Sequence, residues 1–247
     1  MNDFLDKNSP LPLYFQLKNI IKEKIENGEL KPNDRIESER ELEEKYNISR
    51  PTIRQALKEL VNEGLLYREK GKGTFVAKPK IDYGFIQKFT TFYEDMEIKG
   101  YKTKTKVLDK NIVKCRKTLA DKLKVKLNSK IIKITRIRYI EDEPIVLVIN
   151  HIPYDVCKRI INDSLEDESL YRIMAEKYGV KPYKAEISLE PTIADNFDSR
   201  MLEIKQGSPV HLMKNITYTE KNVVMDYFES HLKGDKGKVK VELYNEI

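Results

Sequence analysis

The chain has 247 residues, and its 46 Lys and Arg against 40 Asp and Glu give a formal net charge of +6. Hydrophobic residues make up 40% of it, enough for a buried core, which excludes a disordered chain. No apolar run is long enough to cross a bilayer and the N-terminus lacks a signal-peptide pattern, so we expect a cytoplasmic protein with no membrane contact. Cys115 and Cys157 lack metal-type spacing, so free thiols and no cofactor are expected.

The N-terminal residues predict two helices in succession. Residues 11–27 repeat apolar side chains at helical spacing and end at Asn27-Gly28, a common helix stop. Ser38 followed three residues later by Glu41 is a capping box, which marks the start of a second helix that ends near Tyr46.

A third helix is predicted after Ser49, with Pro51 tolerated in its first turn. Its apolar face repeats with helical period and consists of Ile53, Ala56, Leu57 and Leu60. The opposite face then points to solvent and carries no carboxylate before Glu59; it consists of Arg50, Thr52, Arg54, Gln55 and Lys58. This pattern is typical of a helix that enters the DNA major groove, which is about 12 Å wide.

A two-stranded wing is predicted next, from Leu65 to Glu69 and from Thr74 to Ala77, around the glycine turn at residues 70–73. Residues 50–80 hold eight basic and three acidic side chains, so the positive charge is concentrated here. The order helix, helix, basic helix and wing favours a winged helix-turn-helix that binds double-stranded DNA. The alternative is a solvated helical hairpin with ordinary surface charge.

The segment Ile36 to Val76, IESERELEEKYNISRPTIRQALKELVNEGLLYREKGKGTFV, closely resembles the GntR superfamily of transcription regulators. In that family the S-E-R arginine, the start of the recognition helix and the wing glycine contact DNA. The resemblance implies DNA contacts at Ser38, Arg40, Ser49, Arg50, Thr52, Arg54, Lys72, Gly73 and Thr74.

The rest of the chain is similar to the HutC branch of that superfamily, whose members carry a UTRA effector domain with a fold like that of chorismate lyase. The matching pieces are FTTFYEDMEIKGY at 89–101, IIKITRIRYIEDEPIVLVINHIP at 131–153, SLYRIMAEKYGVKPYKAEISLEP at 169–191 and SHLKGDKGKV at 230–239. The implied organisation is a DNA-binding domain at 1–78, a linker at 79–88, and an effector-binding and dimerisation domain at 89–247. A homodimer on a palindromic operator follows from it.

The pattern of the second half, taken by itself, predicts an α+β domain with a largely antiparallel sheet, because several strands follow one another directly. The predicted helices are Leu119–Val125, Val156–Ile161 and Leu170–Tyr178. The predicted strands are Val107–Val113, Lys130–Ile140, Ala185–Glu190, Pro209–Thr219, Val223–Leu232 and Val239–Leu243.

Arg136 and Arg138 share one face of the strand Lys130–Ile140 with three isoleucines. A buried guanidinium needs an anionic or accepting partner, so two interpretations stay open. The pair either binds an anionic ligand or forms structural salt bridges to acidic neighbours such as Glu141, Glu190 or Glu229. The resemblance to HutC-type regulators implies the first, because arginines at these positions bind the effector's anionic group.

The same resemblance implies effector contacts at Thr90, Thr91, Phe92, Ser169 and Tyr171. The alternative role of Thr91 and Ser169 is plain helix capping. Asp226 and Glu229 are candidate acceptors for sugar hydroxyls or an amine, although surface strand carboxylates would look the same. Amino-sugar-responding members of the branch carry a glutamate where this chain has Val148, which leaves sugar phosphates, fructosyl-amino acids and non-sugar acids open as effectors.

These observations predict a ligand-responsive transcription regulator, with repression of a catabolic or uptake operon released by a small anionic effector such as a sugar phosphate. The competing hypotheses are an enzyme and a constitutive DNA binder with a vestigial sensor. The three histidines form no metal-spaced set, and no nucleophile motif or glycine-rich phosphate loop is evident, so we expect no enzyme activity. Activation instead of repression stays open.

Overall fold

The structure is a computed structural model that describes residues 4–82 and 92–240. The chain divides into two compact units, Met1–Ile81 and Asp82–Ile247. The first unit contains helices α1 (Leu13–Glu26), α2 (Glu39–Tyr46) and α3 (Arg50–Asn62), followed by strands β1 (Leu66–Glu69) and β2 (Gly73–Val76). This order is the predicted winged helix-turn-helix.

The helices of the first unit begin and pack as their sequences predict. The Ser38 side chain accepts a hydrogen bond from the Glu41 backbone N–H at 3.2 Å, and Glu41 accepts one from the Ser38 N–H at 2.7 Å, so the predicted capping box is present. All four apolar positions of the third helix are buried, in a core with Leu17, Leu42 and Leu66. That packing leaves the basic face of α3 in solvent.

A short segment that was not predicted adds to the wing. The Ile36 N–H donates to the Thr74 carbonyl at 3.0 Å, and Arg35 forms an isolated bridge to Phe75. The segment before α2 therefore pairs with β2 and fixes the wing against the start of α2. Its two or three ladder residues are too few to give a strand pattern in the sequence.

The second unit is built on a six-stranded sheet in the order β4-β5-β6-β9-β8-β7, with every neighbouring pair antiparallel. This confirms the predicted α+β class. The strands of the unit and its boundary are β3 (Ile81–Asp82), β4 (Thr103–Lys114), β5 (Lys130–Ile140), β6 (Glu143–Pro153), β7 (Lys184–Ile193), β8 (Pro209–Tyr218), β9 (Val224–Lys233) and β10 (Gly237–Lys238). The helices are α4 (Phe92–Ile98), α5 (Lys117–Leu123), α6 (Leu170–Tyr178) and α7 (Asn196–Met201), with a 3₁₀ turn at Lys158–Asn162.

Several elements differ from the sequence prediction, and helices α4 and α7 were not predicted at all. Strand β6 was not predicted, because its run from Ile145 to Val148 is buried on both faces and shows no period-two alternation. The predicted helix Val156–Ile161 is a 3₁₀ turn, because a short apolar run does not specify its helix type. The predicted strand Val239–Leu243 does not begin at residues 239 and 240, and its remainder lies outside the described residues.

The sheet has two covered faces, named here after the helix on each. The α6 face carries Ile132 and Ile134 of β5, which pack against α6 and the 3₁₀ turn. The α5 face carries Ile131 and Tyr227, which pack with Ala120 and Leu123 of α5. Neighbouring residues of one strand therefore serve different layers. In residues 4–82 and 92–240, no helix has the length and apolar content needed to cross a membrane.

Candidate DNA-binding surface and effector site

Helices α2 and α3 bring the predicted DNA-binding arginines into one exposed set. Arg50 and Arg54 lie on the solvent face of α3, and Arg40 lies in the first turn of α2. The exposed fractions of the Arg50 and Arg54 side chains are 53% and 62%. These guanidinium groups are therefore accessible to a phosphate or a base edge.

Each of these arginines is held by a carboxylate from α2. Arg50 Nε donates to Glu43 Oε2 at 2.7 Å, and Arg54 Nε donates to Glu39 Oε2 at 2.7 Å. Within α2, Arg40 Nε donates to Glu44 at 3.0 Å. The hydrogen bond that Arg50 donates to Glu43 raises the pKa of Arg50 further above its usual value, so this arginine stays charged. DNA that uses these arginines must compete with the carboxylates.

The predicted hydroxyl contacts lie at the two helix starts. The Ser49 and Thr52 hydroxyls are hydrogen-bonded to each other at 2.8 Å, and Ser49 makes no side-chain bond to the α3 backbone. Ser38 is engaged in the capping box of α2. Ser49 and Thr52 can therefore turn towards an external acceptor without uncapping the helix, whereas Ser38 has a structural role as well.

The wing brings Lys72, Gly73 and Thr74 beside the segment before α2. Gly73 has a φ of +131°, and a Cβ at this position would lie 3.1 Å from Arg35 Nε. Only glycine fits both the backbone conformation and this contact. Arg35 is an exposed cation next to the wing that the sequence analysis missed, because nothing in its own neighbourhood predicts the pairing with β2. Lys72 pairs with Glu69 at 2.9 Å at the tip.

The second candidate site lies on the α6 face of the sheet, where Arg136 is buried. Only 1% of Arg136 is exposed, and it is the largest fully buried side chain among the described residues. Its Nη2 donates to Asn150 Oδ1 of β6 at 3.1 Å. A guanidinium at this depth is costly unless accepting groups surround it, so the site is strongly selective for anionic or accepting partners.

A buried polar network continues from Arg136 across three strands. Asn150 Nδ2 donates to Asp226 Oδ2 at 2.6 Å, and the His151 backbone N–H donates to Asp226 Oδ1 at 3.2 Å. From α6, the Tyr171 hydroxyl donates to Asp226 Oδ2 at 3.0 Å and lies 2.9 Å from the Thr217 hydroxyl. The network joins the sheet to α6 through polar contacts inside an otherwise apolar layer.

Asp226 is fully buried, and burial raises its pKa from 3.8 to about 7. The hydrogen bonds from Asn150 and Tyr171 and the charge of Arg136 act in the opposite direction. Burial also raises the pKa of Tyr171 well above its usual value, so its hydroxyl stays protonated and can donate. The site therefore combines a fixed cation with a carboxyl group that titrates near neutral pH.

Arg138 lies two residues further along β5 and on the same face. Its guanidinium carbon is 5.0 Å from the centre of the Phe92 ring, a cation–π contact. Phe92 is 2% exposed and begins α4. The predicted effector residues Arg136, Arg138 and Phe92 are thus brought to one side of the sheet.

Helix α6 supplies Ser169 and Tyr171. The Ser169 side chain accepts a hydrogen bond from the Arg172 N–H at 3.2 Å, so Ser169 caps the helix. That is the structural role considered for it beside effector binding, and Tyr171 follows it in the first turn of α6. Thr90 and Thr91 lie outside the described residues.

Glu229 is not brought to the other predicted effector residues. It follows Asp226 by three positions on a strand and therefore points to the α5 face. There it accepts a hydrogen bond from Tyr227 and lies 3.8 Å from Lys122. Of the other acidic residues considered as salt-bridge partners for the arginines, Glu141 accepts from the Lys102 backbone and Glu190 pairs with Lys214.

Two members of the network were missed in the sequence analysis, Asn150 and Thr217. Asn150 is a polar residue in the apolar run of β6, and it is 2% exposed. An asparagine at a position that alternates with Val148 and Ile152 is the signal that could have found it, but β6 itself was not predicted. Thr217 gives no such signal, because threonine is common in strands.

The chain is similar to curated bacterial repressors along most of its length. It is 38% identical to the HTH-type transcriptional repressor NagR of Bacillus subtilis, over 94% of this chain and 95% of that protein. It is 29% identical to the mannosyl-D-glycerate transport/metabolism system repressor MngR of Escherichia coli, over 81% and 82%. A histidine utilization repressor of Pseudomonas aeruginosa is 27% identical over 85% and 83%, in agreement with the HutC-type resemblance.

Solved structures share the fold. PhnF of Mycobacterium smegmatis superposes with a TM-score of 0.66 at 19% identity, covering 93% of this chain and 99% of that one. Family models match the two units separately: bacterial regulatory proteins of the gntR family at residues 13–76, and the UTRA domain at residues 99–238. The relatives and families are transcription regulators, which agrees with the prediction that the chain is not an enzyme. The chain belongs to the gntR family of bacterial regulatory proteins and joins its DNA-binding module to a UTRA effector-binding domain.

Proposed function

We propose that this regulator represses a catabolic or uptake operon and that a small anionic effector, bound at Arg136 and Arg138, releases it from DNA. The observation that carries the proposal is the buried Arg136 on the α6 face, with Asn150, Asp226 and Tyr171 around it. A folding core alone would be better served by an apolar residue of similar size, because burying a charge is costly.

The DNA side of the proposal uses the exposed arginines of α2 and α3 with the wing. Arg40, Arg50 and Arg54 contact phosphates or bases, and Ser38, Ser49, Thr52, Lys72, Gly73 and Thr74 complete the interface. A helix start and a glycine wing both allow close approach to phosphates. The protein acts in the cytoplasm, where its DNA is.

On the effector side, a phosphorylated sugar fits the chemistry of the α6 face best. Guanidinium groups suit the oxygens of a phosphate, and Asn150, Asp226, Tyr171 and Thr217 offer the mixed donors and acceptors that sugar hydroxyls need. The name of MngR connects that relative to mannosyl-D-glycerate, a sugar that carries a carboxylate. Val148 in place of the glutamate of amino-sugar-responding members argues for an effector that lacks an amino group. The proposal keeps Phe92 and Ser169 as contacts of this site. Thr90 and Thr91 stay predicted contacts from the family resemblance, and Glu229 is the least supported contact.

We further propose a homodimer that binds a palindromic operator. Strand β7 is the ten-residue edge of the sheet, and its side chains are mostly exposed. Ile187, Leu189 and Ile193 are 39%, 38% and 68% exposed on this edge. A long edge strand with apolar side chains is protected in native proteins by pairing or covering, and a second copy of this chain supplies that cover.

In this proposal, residues 79–88 form a linker between a DNA-binding domain at 1–78 and an effector domain at 89–247. The linker couples effector binding in one domain to DNA binding in the other. An effector that binds one arrangement of the dimer better than another shifts DNA affinity by that difference, typically about 1–3 kcal/mol.

Two measurements test the proposal. Selection of genomic fragments by the purified chain should return a palindrome with half-sites about one helical turn apart. A panel of sugar phosphates, each paired with its unphosphorylated sugar, is then added to the complex. Release by a phosphorylated compound but not by its partner supports the proposal. Release by both members of a pair, or by no anion at all, contradicts the assignment of the arginines to an anionic group.

A further inference from the structure

A cavity on the α5 face lies opposite the proposed effector site and has a different lining. Its volume is about 890 Å³, and it is lined by the end of β4, the start of α5, the loop at residues 127–128, Lys133 near the start of β5 and His151 near the end of β6. That volume falls in the range of small-molecule sites, about 300–1,000 Å³. The cavity lies wholly within the second unit.

In the described residues, the lining consists of basic and uncharged side chains. It includes Lys114, Arg116, Lys117 and Lys133, together with His151, and no Asp or Glu contributes to it among the described residues. The chain as a whole has 46 basic and 40 acidic side chains, so a wall of this size with cations alone departs from its average. Potential from several like charges adds within a concave site and attracts counter-ions.

Several other lysines of the described residues are held by carboxylates. Lys18, Lys99, Lys177, Lys184 and Lys214 each form an ion pair of 3.0 Å or less with a carboxylate. The four lysine and arginine side chains of the cavity form no ion pair with a carboxylate in the described residues. Their charge is therefore available to a ligand.

The floor of the cavity places two basic groups directly opposite each other. Lys133 of β5 and His151 of β6 are cross-strand partners on the α5 face. A cation opposite an imidazole favours the neutral form of the ring, whereas an anion bound between the two groups favours the charged form. Burial lowers the pKa of His151, and the charge of Lys133 lowers it further. The buried Nδ1 of His151 has no hydrogen-bond partner in the described part of the chain.

We propose that this cavity is a second ligand site, separate from the Arg136 site, for a small molecule with two or more negative charges, such as a diphosphate or tricarboxylate. Four cations and His151 supply donors around the anion, and Asn128 supplies an uncharged polar group at the rim. The site communicates with the effector network through one backbone group, since the His151 N–H donates to Asp226.

The test uses inorganic pyrophosphate as the probe and the full chain at constant ionic strength. Calorimetric titration of the Arg136→Gln variant isolates the cavity from the effector site. We expect saturable binding in that variant. A further R116Q/K133Q pair of changes in the same background should weaken the binding at least tenfold. The control is K104Q/K106Q, which removes two exposed cations of β4 that lie outside the cavity.

A second readout follows the His151 ring by NMR. A bound anion beside the imidazole favours its charged form, so pyrophosphate should raise the pKa of His151 and leave the ring resonances of His211 in place. The proposal is overturned if R136Q binds no pyrophosphate, if R116Q/K133Q and K104Q/K106Q weaken binding equally, or if the His151 signal does not respond. Failure of these measurements leaves the DNA and effector assignments intact, because they use other residues.

Discussion

Arg50 Nε of α3 donates to Glu43 Oε2 of α2 at 2.7 Å, so this arginine of the proposed recognition helix is paired with a carboxylate when no DNA is bound. Glu39 holds Arg54 in the same way. Carboxylates at a DNA interface repel phosphates and lower affinity for every sequence alike. In the proposed interface, the arginines gain base contacts at the operator that compensate for the lost pairs, whereas on other DNA they do not.

The first prediction concerns this contact. The Glu43→Gln variant should bind non-operator DNA severalfold more tightly, because it releases Arg50 and removes a negative charge. Its affinity for the operator should rise less, so the ratio of operator affinity to non-operator affinity falls. Competition binding at several salt concentrations measures both affinities.

The control for this prediction is Glu26→Gln, which removes the same charge from the same unit at an exposed i,i+4 pair with Lys22. It should leave both affinities nearly unchanged. Equal effects of the two variants would show that net charge matters and that the Arg50 contact does not. The folded state should tolerate both changes, since exposed ion pairs contribute little to stability.

The second prediction compares a residue on the α6 face of the sheet with a residue on the α5 face. Arg136→Gln should abolish the response of DNA binding to the effector while operator affinity without effector is retained. Glu229→Gln should leave the response intact, because Glu229 lies on the α5 face beside Tyr227 and Lys122. The measurement is operator release as a function of effector concentration. Loss of the response in the Glu229 variant would require an effector contact on that face.

Much of the first unit follows from its sequence because its signals are local. The capping box at Ser38, the apolar repeat of α3 and the glycine turn of the wing are each contained within about ten residues. The pairing of Arg35 with Phe75 joins residues forty positions apart, and no local pattern indicates it. The arginine–carboxylate pairs between α2 and α3 span 7 and 15 positions, and they depend on how the two helices pack and not on the pattern of either helix.

The second unit was predictable in class but not in its interior. The alternation of side chains along a strand correctly placed Arg136 and Arg138 on one face. The same alternation in β9 puts Asp226 and Glu229 on opposite faces. Strand β6 was hidden because burial on both faces removes the alternation. Asn150, which bonds both Arg136 and Asp226, was hidden with it. A buried network depends on which strands are neighbours in the sheet, and the sequence pattern of a single strand does not predict its neighbours.

The third prediction concerns pH. The folded pKa of Asp226 is raised to about 7 from 3.8, so between these values the folded state holds a proton that the unfolded state has lost. The contribution of Asp226 to stability is therefore present at low pH and is lost as the pH rises towards 7. Asp226→Asn should remove this slope and stabilise the protein at pH 8 by about 1–3 kcal/mol relative to the parent. Chemical unfolding at pH 5 and pH 8 measures the difference. A parent and variant with parallel pH profiles would contradict it.

The fourth prediction tests the dimer. Leu189→Lys places a charge in the exposed apolar row of β7, where a second copy is proposed to pack. Sedimentation should show a shift from dimer to monomer, and operator affinity should fall because the two half-sites are then bound separately. Lys184→Glu changes the charge at the end of the same strand, outside the apolar row, and serves as the control. A dimer that persists in Leu189→Lys would locate the interface on another surface.

The fifth prediction concerns the wing. Gly73→Ala forces an L residue into a φ of +131°, which strains the backbone of the tip, and its Cβ would lie 3.1 Å from Arg35 Nε, so the Arg35 side chain must give way. Strain of this kind costs about 1–3 kcal/mol. Gly28→Ala is the matched control, because Gly28 also has a positive φ, +76°, but meets no neighbouring atom. Both variants should lower the free energy of unfolding, and only Gly73→Ala should also lower operator affinity once both are compared at temperatures where they are fully folded. If the two variants bound the operator equally well, the wing tip would have no part in DNA binding, and Lys72 and Thr74 would lose their assignment with it.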